Sequence, residues 1–128
     1  KDYTSGVHNL GLIKRPGLNR WSQQNKRWSD AALGEDDAGR ILFVFCRLPL
    51  SMLDLNTELL GSGIGLIAAQ HLEGGPQAQL YLSIGDVELE MSGVYSAYFG
   101  KDHGSLAAWP IPNVLGIRPR PSPTAHKD

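Results

Sequence analysis

Cysteine is nearly missing. Cys46 is the only one in 128 residues, so no intramolecular disulfide can form and cysteine usage does not fix a redox compartment. A basic excess is missing too: 12 Lys and Arg stand against 13 Asp and Glu, a net charge of -1. That excludes the electrostatic footprint of a dedicated nucleic-acid binder. No apolar run approaches the roughly 18 residues of a membrane span. There is no Asn-x-Ser/Thr sequon and no Gly-x-Ser-x-Gly elbow. The four histidines (His8, His71, His103 and His126) lack metal-ligand spacing, and no motif calls for a metal or other cofactor. The sequence starts at Lys1 with no apolar leader behind it, which reads as a processed chain, an excised piece or a partial one.

What is present describes one globular domain. Apolar residues make up 41% and charged residues 20%, which leaves enough apolar material for a core. Residues 1–27 hold six of the 12 bases and one acid, whereas residues 50–100 hold six acids and no base. Two readings stand: a basic arm docks on the acidic half, or two faces are solvated differently.

Hydrophobic patterning predicts an α+β fold, a mixed sheet with few helices. Residues 9–14 read as a strand ended by Pro16-Gly17, and residues 18–28 as a loop pinned by buried Trp21 and Trp28. A short strand at 31–34 and a turn at 35–39 follow. Residues 41–46 (ILFVFC) run apolar without alternation, the pattern of a central strand covered on both faces. Ser51 with Asp54 three residues on opens a helix over 51–61, with Met52, Leu55, Leu59 and Leu60 on one face. A second apolar strand spans 66–72, so 41–73 reads as a parallel strand–helix–strand unit. Alternation over 80–84 and 87–91 around Gly85-Asp86 predicts a hairpin with one solvated, acidic face. Tyr95, Tyr98 and Phe99 make an aromatic patch, 113–117 a closing strand, and 118–128 a proline-rich tail or linker.

The candidate site lies at the carboxyl edge of the strands over 41–46 and 66–72. Arg47 and Glu73 each follow the last apolar residue of a strand, and neighbouring parallel strands would bring them together where open sheets bind ligands. Gly74 and Gly75 let a ligand approach the backbone. His71 sits two residues before Glu73, on the same side of a regular strand. Asn56, on the apolar helix face, either orients a loop or reaches the site. Tyr95 lies nearby. The plain alternative is an Arg47–Glu73 ion pair closing the sheet edge. His71-x-Glu73 matches part of the zinc-deaminase pattern, but the two downstream cysteines are lacking. Cys46 closes an apolar run and reads as a buried structural thiol.

As a set, these residues resemble the phosphodiester glycosidase domain, and within it the bacterial branch. The matching stretches are 10–13 (LGLI), 17–21 (GLNRW), 27–34 (RWSDAALG), 39–47 (GRILFVFCR), Ser51-Met52, Asn56, 71–78 (HLEGGPQA) and 108–116 (AWPIPNVLG). The resemblance covers roughly residues 7–117, so residues 1–117 are taken as the C-terminal part of such a domain and 118–128 as its tail. It implies hydrolysis of a sugar-1-phosphodiester, with Glu73 and His71 as proton-transfer groups. Arg47, Gly74, Gly75, Asn56 and Tyr95 then contact the sugar phosphate. It also implies an extracellular or periplasmic setting, and a missing N-terminal half supplied by further chain or by a partner. This sequence departs from the family pattern at Leu53, Gln77 and Ser96, where relatives tend to carry His, Glu and an acid. Those departures favour the alternative, a non-catalytic glycan-binding or assembly module of the same fold.

Overall fold

A computed structural model describes residues 9–100 and 108–120. Its strands are β1 (Gly11–Lys14), β2 (Leu18–Asn19), β3 (Trp28–Asp36), β4 (Ile41–Leu50), β5 (Leu66–Gly74), β6 (Gln79–Ile84) and β7 (Val87–Ser92), with one α-helix, α1 (Met52–Gly61). Five strands form one sheet in the order β2-β1-β5-β3-β4, every neighbour antiparallel. β6 and β7 pair separately. The α+β class expected from the sequence is the class observed.

Helix α1 starts where its capping residues dictate. The Ser51 hydroxyl accepts from the Asp54 amide (3.1 Å) and donates to the Asp54 carboxylate (2.8 Å). Ten residues are too few to hold a helix in water, so packing must do it. Met52 and Leu55 are fully buried against Leu12, Ala32, Leu66 and Ala69, each contributing about 1.5–3 kcal/mol. Leu42, Val44 and Cys46 reach the same cluster from β4. α1 therefore covers one sheet face. Up to Cys46 the even-numbered β4 residues point toward it, and odd-numbered Ile41 and Phe43 point away into solvent; the register shift between Cys46 and Leu50 ends this alternation.

Several expectations need correction. The apolar run over 41–46 is an edge strand, with Ile41 58% exposed. An unbroken apolar run identifies a strand, but lateral position depends on which strand the others flank, and that strand is β3. Its Ala31 and Ala32 allow close packing on both faces. β4 and β5 run the same way in one sheet, and their carboxyl ends share an edge. They are not a parallel pair, because β3 lies between them and antiparallel to both. The strand foreseen at 31–34 extends over Trp28–Asp36. Within the expected loop, Leu18–Asn19 pairs with β1, and Trp21 and Trp28 are half-buried rather than buried. Residues 113–117 form no strand, and Ile117 is 84% exposed because no apolar neighbour covers it.

The hairpin turns at Gly85-Asp86 as expected. Tyr81 faces Glu90 and Ser83 faces Glu88 on its acidic side, and the Tyr81 hydroxyl donates to Glu88 (3.0 Å). The other side pairs Leu80 with Met91, Leu82 with Leu89 and Ile84 with Val87. Residues 118–120 are exposed and irregular, and the rest of the proline-rich tail lies outside the described residues.

Candidate active site

Asp30 is an acid in the middle of the sheet. On β3 it pairs with Cys46 of β4 on one side and Gly74 of β5 on the other, and it is 1% exposed. Its Oδ2 accepts from the Trp28 indole Nε1 (3.2 Å) and lies 2.8 Å from His71 Nδ1, while Oδ1 has no partner. Burial pushes the Asp30 carboxyl above the usual carboxylate range, and its contacts with His71 and Trp28 pull it partway back. For His71, burial opposes the imidazolium. The hydrogen bond to Asp30 and the negative charges of Asp30 and Glu73 outweigh that, and His71 is held above the ordinary histidine range. His71 Nε2 bonds to none of the described residues, and the side chain as a whole is 14% exposed.

A bulge changes the expected relation of His71 to Glu73. Ala31 pairs with Glu73 and Ala32 pairs with His71, leaving Leu72 as the extra residue. Period-two alternation is broken there. His71 leaves the strand on the helix side with Asp30, and Glu73 leaves on the opposite side, exposed. The two groups flank the end of β5 instead of sharing a face.

The strand end is closed by aromatic rings. A Cβ on Gly74 would fall 2.6 Å from Trp28 Cδ1, and a Cβ on Gly75 would fall 2.6 Å from Tyr95 Cε1. Gly75 also has a φ of +63°, which disfavours any other residue. The room these glycines leave is therefore filled by protein. The Tyr95 ring stays 43% exposed, beside Phe99 and Tyr98. Ser29, fully buried, ties the arrangement together: its hydroxyl donates to the Arg47 carbonyl (2.5 Å) and accepts from the Val94 amide (2.8 Å).

Arg47 is exposed at the same sheet edge and makes no ion pair among the described residues. The alternative of an Arg47–Glu73 bridge is not realised, because β3 separates their strands by about two strand spacings, roughly 9–10 Å. Asn56 is fully buried and serves the scaffold: its amide donates to the Leu12 carbonyl (2.7 Å) and to Asn19 Oδ1 (3.1 Å). Sequence reasoning passed over Trp28, Ser29 and Asp30. The available signal was Asp30 itself, an acid immediately before Ala31-Ala32 in a small apolar strand.

Among the described residues no group of three or more His, Cys, Asp or Glu could hold a metal ion. No helix there is long and apolar enough to cross a membrane. An open groove of about 280 Å³ lies at the far end of β3, lined by Asn9, Leu33, Glu35, Ile41 and Gln70, and none of the candidate residues borders it. The chemistry-bearing residues gather at the Trp28 end instead.

The sequence model of the family described as phosphodiester glycosidase matches residues 4–118. No curated protein and no solved structure matches significantly.

Proposed function

Because the chain belongs to the phosphodiester glycosidase family, we propose that the Trp28 end of its sheet hydrolyses a sugar-1-phosphodiester at the anomeric carbon. The observation that carries this reading is the buried Asp30–His71 contact of 2.8 Å beside Glu73-Gly74-Gly75. The leaving group is a phosphate monoester anion, so the demanding tasks are to balance its charge and to activate water. Water attacks C1, the C1–O bond to phosphate breaks, and its electron pair stays on the phosphate oxygen. The exposed Glu73 carboxylate takes the proton from water. His71, kept basic by its acidic neighbours, donates its Nε2 proton to the departing oxygen. Solvent exchange returns both groups to their starting states. The unpaired Arg47 guanidinium suits the phosphate, since it binds two oxygens at once. The substrate lies across the end of β5, between the two faces that His71 and Glu73 occupy, with the sugar against Tyr95. Further chain, from the same polypeptide or a partner, completes the domain along the unpaired β4 edge.

The test is hydrolysis of a synthetic sugar-1-phosphodiester by the full-length protein. Glu73→Gln should lower kcat by about 100-fold or more, and Arg47→Ala should act mainly on KM. Wild-type rates in Glu73→Gln would remove Glu73 from the mechanism. A second reading, a glycan-binding module without chemistry, is supported by the exposed Tyr95 ring and by the departures at Leu53, Gln77 and Ser96. It predicts no turnover by the wild type, and loss of glycan-phosphate binding in Arg47→Ala.

A further inference from the structure

The Asp30 carboxylate does more than fill a hydrogen-bonding position. We propose that Asp30 is a positioning residue that keeps one proton on His71 Nδ1, so that the imidazolium gives up its other proton from Nε2 at the strand end and the neutral ring left behind is the Nδ1–H tautomer, a role that rests on the reading of His71 as proton donor. The register sets this up: His71 pairs with Ala32, and Asp30 lies two residues along β3 on the same face. The His71 backbone is fixed as well, its amide donating to the Leu10 carbonyl (2.8 Å). Trp28 Nε1 donates to the same Oδ2 that meets His71, so the acceptor cannot swing away.

A purely structural acceptor would be chosen differently. Asp30 is 1% exposed, its Oδ1 has no partner, and burial alone disfavours its charge. Keeping a buried carboxylate with an orphan oxygen costs more stability than a neutral amide in the same place would. What the carboxylate supplies and an amide does not is negative charge at Nδ1. Among the described residues the charged groups that act on His71 are Asp30 from β3 on the same face and Glu73 from its own strand on the opposite face, while the Leu10 carbonyl just before β1 meets the His71 amide and not the ring. On the β4 side of Asp30 lies the Cys46 thiol, whose proton is held more tightly because of burial and of Asp30, so it adds no charge. Asp30 is thus the group that fixes which ring nitrogen carries the proton.

Long-range ¹H–¹⁵N spectra of the full-length protein test this without any substitution. At a pH where His71 is neutral, the Nδ1–H tautomer is expected, and an Nε2–H tautomer overturns the proposal. Asp30→Asn keeps an acceptor but loses the charge. The His71 titration should then move to lower pH, and kcat should fall by about 100-fold with KM little changed. An unmoved titration overturns the proposal. If Asp30→Asn does not fold, the tautomer in the unsubstituted protein decides. If the tautomer and titration behave as expected while the wild type hydrolyses no sugar-1-phosphodiester, the enzymatic reading fails and the Asp30–His71 relation stands.

Discussion

Gly74 lies flat against the Trp28 indole, so closely that a Cβ there would come within 2.6 Å of the ring. The contact is steric only, since Gly74 does not have a positive φ. It keeps the indole where Nε1 reaches Asp30, linking a glycine on β5 to the acid that meets His71.

Gly74→Ala should therefore displace Trp28 and destabilise the fold by about 1–3 kcal/mol, read as a lower midpoint in urea unfolding. The indole hydrogen bond should be lost with it, seen as a shifted Trp28 Nε1–H resonance. An unchanged midpoint and an unchanged indole signal would show that the strand end is looser than described.

The His71–Asp30 pair also makes stability depend on pH. His71 carries a raised proton affinity in the folded state, so its contribution is fully present below the unfolded value near 6.5 and is lost as pH rises through the folded value. The raised Asp30 carboxyl has the same sign, in a window that starts lower. Tm should fall as pH rises from about 6 to about 8, and His71→Gln should flatten that slope. A Tm that rises over this range in the wild type would mean the pair does not stabilise the protonated histidine.

Asn56 separates scaffold from site. Its amide is fully buried and tied to the Leu12 carbonyl and Asn19. Asn56→Ala should cost about 1–3 kcal/mol and leave KM for a sugar phosphodiester unchanged at temperatures where the variant is folded. A KM change without loss of stability would place Asn56 in the site.

The β4 edge is long and largely apolar, and no strand among the described residues pairs with its outer side. Such edges template pairing with another strand. The 128-residue chain should self-associate in sedimentation experiments, and Phe43→Lys, on the face away from α1, should reduce it. A stable wild-type monomer at high concentration would contradict this.

What the sequence could reveal follows from locality. Ser51 and Asp54 announce the helix because their contact spans three residues, and Gly85-Asp86 announces the hairpin for the same reason. Arg47 and Glu73 lie toward the same end of the sheet because both their strands run antiparallel to β3. That β3 would lie between those strands depends on pairings between residues far apart in sequence, which patterning does not encode. The Leu72 bulge is equally silent, yet it sends His71 and Glu73 to opposite faces. Asp30 was legible only as an oddity, because its meaning comes from a histidine 41 residues away.

The central claim is that bond cleavage occurs between C1 of the sugar and the phosphate oxygen, with water delivered to carbon. Hydrolysis of a sugar-1-phosphodiester by the full-length protein in ¹⁸O-labelled water, followed by mass spectrometry of both products, tests it most directly. The label should appear at C1 of the released sugar, with unlabelled phosphate monoester, and label incorporation should be lost in His71→Ala and Glu73→Gln. Label in the phosphate, or label at C1 at undiminished rate in both variants, would contradict the account.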